Sequence, residues 1–269
     1  MAGRFQDKVV LITGASSGIG AETARQLASE GAKLALLARR ADKLASVKSE
    51  VEALGAPVLT FTADVSDRAA LDAAVADTLA AFGRIDIVLA NAGTGVTGPI
   101  FKLTVDDYRR QFETNVFGLL NTIYASLDAL KASRGQLGLL GSVAGVVGTP
   151  SASAYNASKF AVNGLGESIY HDLDELGISV TLIKPGFVDS EIRLLDRQGK
   201  VSDKPDPVPA WLVMSTPAAA RVILSALHRR KPEVTVTFHG KVFTWCKRFL
   251  PGATRWVIRR MSKGSLPKL

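Results

Sequence analysis

Residues 8–20 read KVVLITGASSGIG. An apolar run of strand length, KVVLIT (8–13), breaks into a turn with glycines at 14, 18 and 20, and the turn opens a helix-like segment, GIGAETARQLASEG (18–31). In a strand–turn–helix unit of this kind glycines let the backbone approach a pyrophosphate. The free N–H groups and dipole of the helix N-terminus favour the anion. The spacing here is G-x-x-x-G-x-G, not the G-x-G-x-x-G of the standard dinucleotide fingerprint. Alone the turn is a weak signal, because a merely tight βα connection needs glycine too.

The rest of the chain repeats the unit. KLALLA (33–38) precedes a helical pattern at 41–55, VLTFTAD (58–64) one at 66–83, and IDIVLANAG (85–93) one around 104–133. QLGLLGS (136–142), ISVTLIKPG (178–186) and EVTVTF (233–238) supply three more strands. Strands alternating with helices of this length predict βαβ units and a parallel sheet, an α/β fold. Glycines 31, 55, 83 and 177 fall where helices should end. With 269 residues, 47% of them hydrophobic, the chain can bury one large core. We expect a domain over 1–238, including a Pro-, Asp- and Lys-rich lid at 189–215, and a basic tail at 239–269.

Charge, cysteine and hydropathy exclude several classes. The net charge is +8, but no Asp or Glu follows Glu233, while the tail holds Lys241, Lys247, Arg248, Arg255, Arg259, Arg260, Lys263 and Lys268. The remaining 25 basic residues balance the 25 acidic ones. The body is neutral, so a nucleic-acid partner is not expected. A single cysteine, Cys246, provides no disulfide framework. The N-terminus lacks the apolar core of a signal peptide, and no stretch reaches the ~20 apolar residues of a spanning helix. The expected location is cytoplasmic, at most peripheral at a membrane.

The second strand ends LALLARR, where an NAD site needs an acid for the ribose hydroxyls. Here Ala38 is followed by Arg39 and Arg40, whose guanidinium forks suit a 2′-phosphate. NADP(H) is expected over NAD(H); the alternative is two solvated caps on the strand. SAYNASKFAV (153–162) places Lys159 one helical turn after Tyr155, on the same face and about 5–6 Å away at Cβ. An ammonium that close should lower the phenol pKa by about two units. Alone, such a pair is more often incidental.

Taken together, TGASSGIG (13–20), ANAG (90–93), Asn115 in FETNVFG, Ser142 in GSVAG, Tyr155 and Lys159 in YNASK, and KPGFVDS (184–190) resemble the short-chain dehydrogenase/reductase family over residues 7 to about 237. The resemblance implies a single Rossmann-type doubly wound domain, a seven-stranded parallel sheet with helices on both faces. It implies hydride transfer between a nicotinamide and a carbonyl or secondary alcohol. It makes Tyr155 the general acid or base, with Lys159 lowering its pKa and bonding the nicotinamide ribose. Ser142 steadies the substrate oxygen, and Asn115 holds a water that links Lys159 to solvent. Gly14, Ser16, Ser17, Gly18, Ile19, Gly20, Arg39, Arg40, Asp64, Val65, Asn91, Ala92, Gly93, Pro185, Gly186, Val188 and Ser190 are the cofactor-binding positions it implies. It also implies a homodimer or homotetramer, paired through 104–133 and the helix carrying Tyr155. Three positions depart from the pattern: Ala90 stands for the first Asn of Asn-Asn-Ala-Gly, Ser190 for a threonine, and Ser17 for the basic residue many NADP members carry in the glycine turn.

Plainer roles remain open for several of these. Ser142 is placed to cap a helix and Asn115 to bond its own backbone. His171, His228 and His239 have no carboxylate or cysteine at metal spacing, so no metal site is expected. Leu194, Leu195, Trp211, Leu212 and Met214 of the lid either line an apolar mouth for a lipophilic substrate, beside Phe187 and Val143, or pack on their own protein. In the tail Val242, Trp245, Cys246, Phe249 and Leu250 form one helical stripe opposite Lys241, Thr244, Lys247 and Arg248. Trp256, Val257, Ile258 and Met261 follow after Pro251. The stripe suits either a membrane interface or packing over the pocket or a partner subunit. A non-catalytic dinucleotide sensor or scaffold on the same fold is the alternative function.

Overall fold

The computed structural model describes residues 3–199, 206 and 208–262, the last two by their backbone. Its seven strands are β1 (Val9–Thr13), β2 (Lys33–Ala38), β3 (Val58–Thr62), β4 (Ile87–Ala90), β5 (Gln136–Leu140), β6 (Ser179–Lys184) and β7 (Glu233–Thr235). They form one sheet in the order β3-β2-β1-β4-β5-β6-β7, and every pair is parallel. Nine helices connect and extend it among the described residues: α1 (Gly18–Ser29), α2 (Ala41–Ala53), α3 (Arg68–Phe82), α4 (Val105–Phe112), α5 (Gly118–Ser133), α6 (Ser153–Glu175), α7 (Thr216–His228), α8 (Phe238–Phe249) and α9 (Pro251–Ser262).

All five β1 residues are buried, as expected for a strand covered on both faces. Val10 and Ile12 pack with Ala24 and Leu27 of α1, Leu44 and Val51 of α2, and Ile223 and Leu224 of α7. Val9 and Leu11 point the other way, toward Val75 of α3, Leu119 and Ile123 of α5, and Val162 of α6. This is the doubly wound arrangement that the family resemblance implies, built on the parallel sheet that the alternating pattern predicts. The chain runs outward from β1 to β3 and then returns to place β4 on the opposite side of β1. Ligands of such sheets bind at the carboxyl ends of the strands beside this reversal.

Glycines 31, 55, 83 and 177 close their helices at positive φ, between +75° and +83°. Three details differ from expectation. β7 is only three residues long, because the chain turns into α8 at Phe238. The helical stretch around 104–133 is two helices joined by a π-helical turn, Glu113–Phe117, with Asn115 at its centre. Within the lid, short 3₁₀ turns at Glu191–Leu194 and Ala210–Leu212 are described, and residues 200–205 and 207 lie outside the described residues. Of the expected tail, positions 263–269, with Lys263 and Lys268, also lie outside them, as does the side chain of Met261.

Candidate active site

At the carboxyl ends of β1, β2 and β4 lies a cleft lined by Gly14, Ser16–Ile19, Arg39, Arg40, Asp64, Val65, Asn91–Gly93 and Ser190. Its floor is built by close packing. Gly14 has φ +68°, and a Cβ there would sit 2.7 Å from the Ala92 Cα. The Asn91 amide donates to the carbonyls of Thr13 (2.9 Å) and Gly14 (3.1 Å), tying β4 to the glycine turn. Gly20 is not at the cleft surface: it is buried beneath it, leaving room for the Asn91 amide. Ser17 is the N-cap of α1, yet its hydroxyl makes no capping bond. First-turn amides of α1 thus lack a side-chain acceptor, which suits a helix N-terminus that receives a phosphate.

The rim is cationic. Arg39 pairs with Asp64 at 3.2 Å. Burial pushes the Asp64 carboxyl up, but the Ser66 amide and hydroxyl and Arg39 outweigh it and hold the group below its ordinary value. Arg40 donates to Ser17 Oγ (2.6 Å) and to Glu191 (2.7 Å), and Lys43 donates to the other Glu191 oxygen. Glu191 was not singled out from the sequence. A lid carboxylate gives no local signal of the strand end it will reach, more than a hundred residues earlier.

Around the ends of β4 and β5 stand the four expected reactive residues. Ser142 begins a 3₁₀ turn, Val143–Gly145; its hydroxyl accepts from the Ala144 amide (3.0 Å), so the capping role is real. Tyr155, in the first turn of α6, faces it. Lys159 is buried and donates its Nζ to the Leu140 carbonyl at 2.7 Å, with Nζ 6.0 Å from the Tyr155 ring centre. The expected depression of the phenol pKa is not found. Burial pushes the Tyr155 phenol up, with Ser142 opposing it, and burial pulls Lys159 down to about 8. The reason is that desolvation penalises both ions before their attraction can act.

Asn115 is buried by the π turn and its side chain is fully engaged. Its Oδ1 accepts from the Thr94 amide (2.8 Å), and its Nδ2 donates to the Thr94 carbonyl and to Ser158 Oγ (both 3.1 Å). Pro185 borders the reactive group, its carbonyl accepting from the Ser142 hydroxyl (3.4 Å) and the Val143 amide (2.9 Å). Val188 is buried and bridges to Met214, while the Phe187 amide donates to His239 Nε2 at 2.9 Å. A Cβ on Gly186 would strike Thr237 and His239. Of the lid residues, Leu195 lines the cleft, Met214 packs on the core, and Trp211 is 83% exposed. Another hollow, at the amino ends of the strands between Arg4, Asp86, Arg134 and Arg230, contains none of these groups.

Comparison with known proteins agrees with this geometry. Residues 8–200 match the family described as short chain dehydrogenase. The 2-dehydro-3-deoxy-L-rhamnonate dehydrogenase (NAD(+)) of Sphingomonas sp. (strain SKA58) is 36% identical over 196 residues, covering 71% of this chain and 76% of that protein. The 11-beta-hydroxysteroid dehydrogenase A of Sesamum indicum is 34% identical over 269 residues, covering 94% of this chain and 75% of that protein. A solved structure of a short chain dehydrogenase/reductase from Burkholderia phymatum in complex with NAD is similar with a TM-score of 0.82 at 27% identity, covering 91% of this chain and 94% of that one.

Proposed function

The chain belongs to the short-chain dehydrogenases, oxidoreductases acting on CH–OH or C=O groups, and from that premise we propose that it is an NADP(H)-dependent enzyme for a lipophilic carbonyl or secondary alcohol. The observation that carries the reaction is the grouping of Ser142, Tyr155 and Lys159 beside the glycine-lined cleft. NADP(H), when bound, supplies the carbon that gives or takes the hydride. Tyr155 gives its phenolic proton to the carbonyl oxygen in reduction and recovers it in oxidation. Ser142 donates to the same oxygen and stabilises its developing charge. Lys159, lowered by burial to about 8, takes up and releases protons near neutrality and so restocks the phenol. Asn115, whose amide is fixed by Thr94 and Ser158, would hold the water that links Lys159 to solvent.

The choice of NADP(H) rests on Arg39 and Arg40 at the end of β2, where no carboxylate stands. Two of the relatives are described with NAD, and the reading for this chain rests on its own two arginines. In binding NADPH, the 2′-phosphate would replace Asp64 and Glu191 as the partner of these cations. Gly14, Ser16, Ser17, Gly18 and Ile19, which line the cleft, would hold the pyrophosphate, Val65 and Asp64 would border the adenine, and Asn91–Gly93 would line its path. The lipophilic substrate is inferred from Val143, Phe187 and Leu195 around the approach. Phe117 and Tyr124 at α5 and Phe160 on α6 expose apolar rings, which favours the paired-helix homodimer or homotetramer.

Oxidation of NADPH and NADH with a panel of ketones and aldehydes tests the proposal. NADPH should bind at least tenfold more tightly than NADH, about 1.4 kcal/mol, and Arg39→Asp should reverse the order. Equal affinities in the wild type refute the cofactor assignment. No turnover with any carbonyl favours a sensor on the same fold.

A further inference from the structure

The tail helices wear their apolar stripe on the outside. In α8 and its C-cap Leu250, Val242, Trp245, Phe249 and Leu250 are exposed, Trp245 by 56% and Phe249 by 59%, while Gly240 is buried and Phe243, Thr244, Cys246 and Lys247 are half-buried. In α9, Trp256 is 61% exposed, with Val257 beside it. An ordinary surface helix buries its apolar stripe and leaves only its polar face to solvent. The inversion has a cost: the Thr244 hydroxyl is buried without a hydrogen-bond partner. The helices are nonetheless firmly rooted. Thr237 caps α8 by accepting from the Gly240 amide, and His239 accepts from the Phe187 amide and stacks on its ring at 5.2 Å. Gly240 packs so closely that a Cβ would meet Val143 at 2.8 Å.

Cations surround the exposed rings. Lys241, Arg248, Arg255, Arg259 and Arg260 are all exposed, and the chain has no Asp or Glu beyond Glu233. Arg248 lies 5.8 Å from the Phe249 ring and Arg260 5.5 Å from the Trp256 ring. Aromatic rings interleaved with basic side chains on short helices match the boundary between lipid headgroups and acyl chains. A symmetric contact with a second copy is disfavoured, because it would set these cations against themselves without a carboxylate from the same patch. No helix among the described residues is long and apolar enough to cross a membrane, so any lipid contact here is with the surface.

We propose that α8 and α9 dock the protein on the surface of an anionic phospholipid bilayer, with Trp245, Phe249 and Trp256 entering the interface and Lys241, Arg248, Arg255 and Arg260 facing the headgroups. The test is co-sedimentation of the full chain with phosphatidylglycerol-containing vesicles and with pure phosphatidylcholine vesicles. The wild type should pellet with the anionic vesicles at low salt, and added salt should release it. The variant Lys241→Glu/Arg248→Glu/Arg255→Glu should lower partitioning by on the order of a hundredfold. Trp245→Ala/Phe249→Ala/Trp256→Ala should lower it at least tenfold and leave oligomer size and NADPH binding unchanged. These side chains are exposed, so both variants should fold, which circular dichroism checks. The proposal is overturned if the wild type stays in the supernatant with anionic vesicles at low salt. It is also overturned if the aromatic variant changes oligomer size while binding vesicles as before, which would make this face a subunit interface. Vesicle partitioning and oligomer size do not depend on the reaction or cofactor assigned to the cleft.

Discussion

Replacing Lys159 with methionine should make the cofactor-free protein more stable at pH 7 and flatten its pH dependence above pH 8. Burial lowers this lysine from 10.5 to about 8. At about 1.36 kcal/mol per unit, holding the ammonium in the folded state costs about 3 kcal/mol. Below pH 8 both folded and unfolded chains carry the proton and the cost is constant. Between pH 8 and 10.5 the unfolded chain keeps the proton and the folded chain has lost it. Stability then rises with pH by about 1.36 kcal/mol per unit, until the cost is gone. The Nζ–Leu140 bond persists through the titration, since a neutral amine still donates. In the methionine variant that carbonyl loses its donor, worth about 1 kcal/mol. The net gain at pH 7 is therefore about 2 kcal/mol. Urea denaturation at pH 7, 8, 9 and 10, with wild type and variant compared at each pH, isolates this one group from the other lysines and tyrosines. The wild type should gain on the variant by more than 2 kcal/mol from pH 7 to 10. A constant difference across that range would refute the burial argument, and the role of Lys159 as a proton carrier near neutrality would go with it.

Tyr155→Phe should remove nearly all turnover while leaving NADPH affinity within about twofold; retention of more than a tenth of kcat, a loss under about 1.4 kcal/mol, counts against the acid assignment. Glu191→Gln should tighten NADPH several-fold with NADH unchanged, measured by fluorescence titration, because it frees Arg40 and Lys43 from a competing carboxylate. Gly14→Ala should lower the melting temperature by several degrees and weaken both cofactors, since its φ is +68° and the new methyl meets Ala92. His239 is held below its ordinary value by burial. As pH falls from 6.5 the unfolded chain takes up this proton first, so stability should fall, and His239→Gln should remove that slope in melting curves at pH 7 and 5.5.

Most of the fold could be read from two periodicities. Apolar runs of strand length mark all seven strands, and glycines 31, 55, 83 and 177 mark where α1, α2, α3 and α6 stop, whereas α5 and α7 end at Arg134 and Arg229 without such a signal. What escaped were features set by contacts distant in sequence. Asn115 reads as an ordinary helical residue; its π turn is visible only once Thr94 and Ser158 are seen to hold its amide. Glu191 reads as a lid residue, and its meeting with Arg40 depends on how the lid folds back over β2. The Tyr155–Lys159 spacing correctly placed the pair on one face of α6. It did not carry the sign of their pKa shifts, because helical spacing gives a distance and says nothing of the solvent removed around it.

The tail shows the same limit from the other side. The spacing of Val242, Trp245, Phe249 and Leu250 establishes that α8 is two-faced, whichever way it is turned. Sequence periodicity is blind to that choice, since a stripe rotated by half a turn keeps its period. The choice is made at the root, where Gly240 alone leaves room against Val143 and the neutral His239 ring accepts from Phe187. Once that end is locked, the helical repeat leaves Phe243, Thr244 and Lys247 half-buried and carries Val242, Trp245 and Phe249 outward. An apolar face held outward by a glycine and a histidine is a property of the folded chain. The bilayer experiment therefore asks what that exposed face meets, a question separate from how the cleft at the other end of Phe187 handles its substrate.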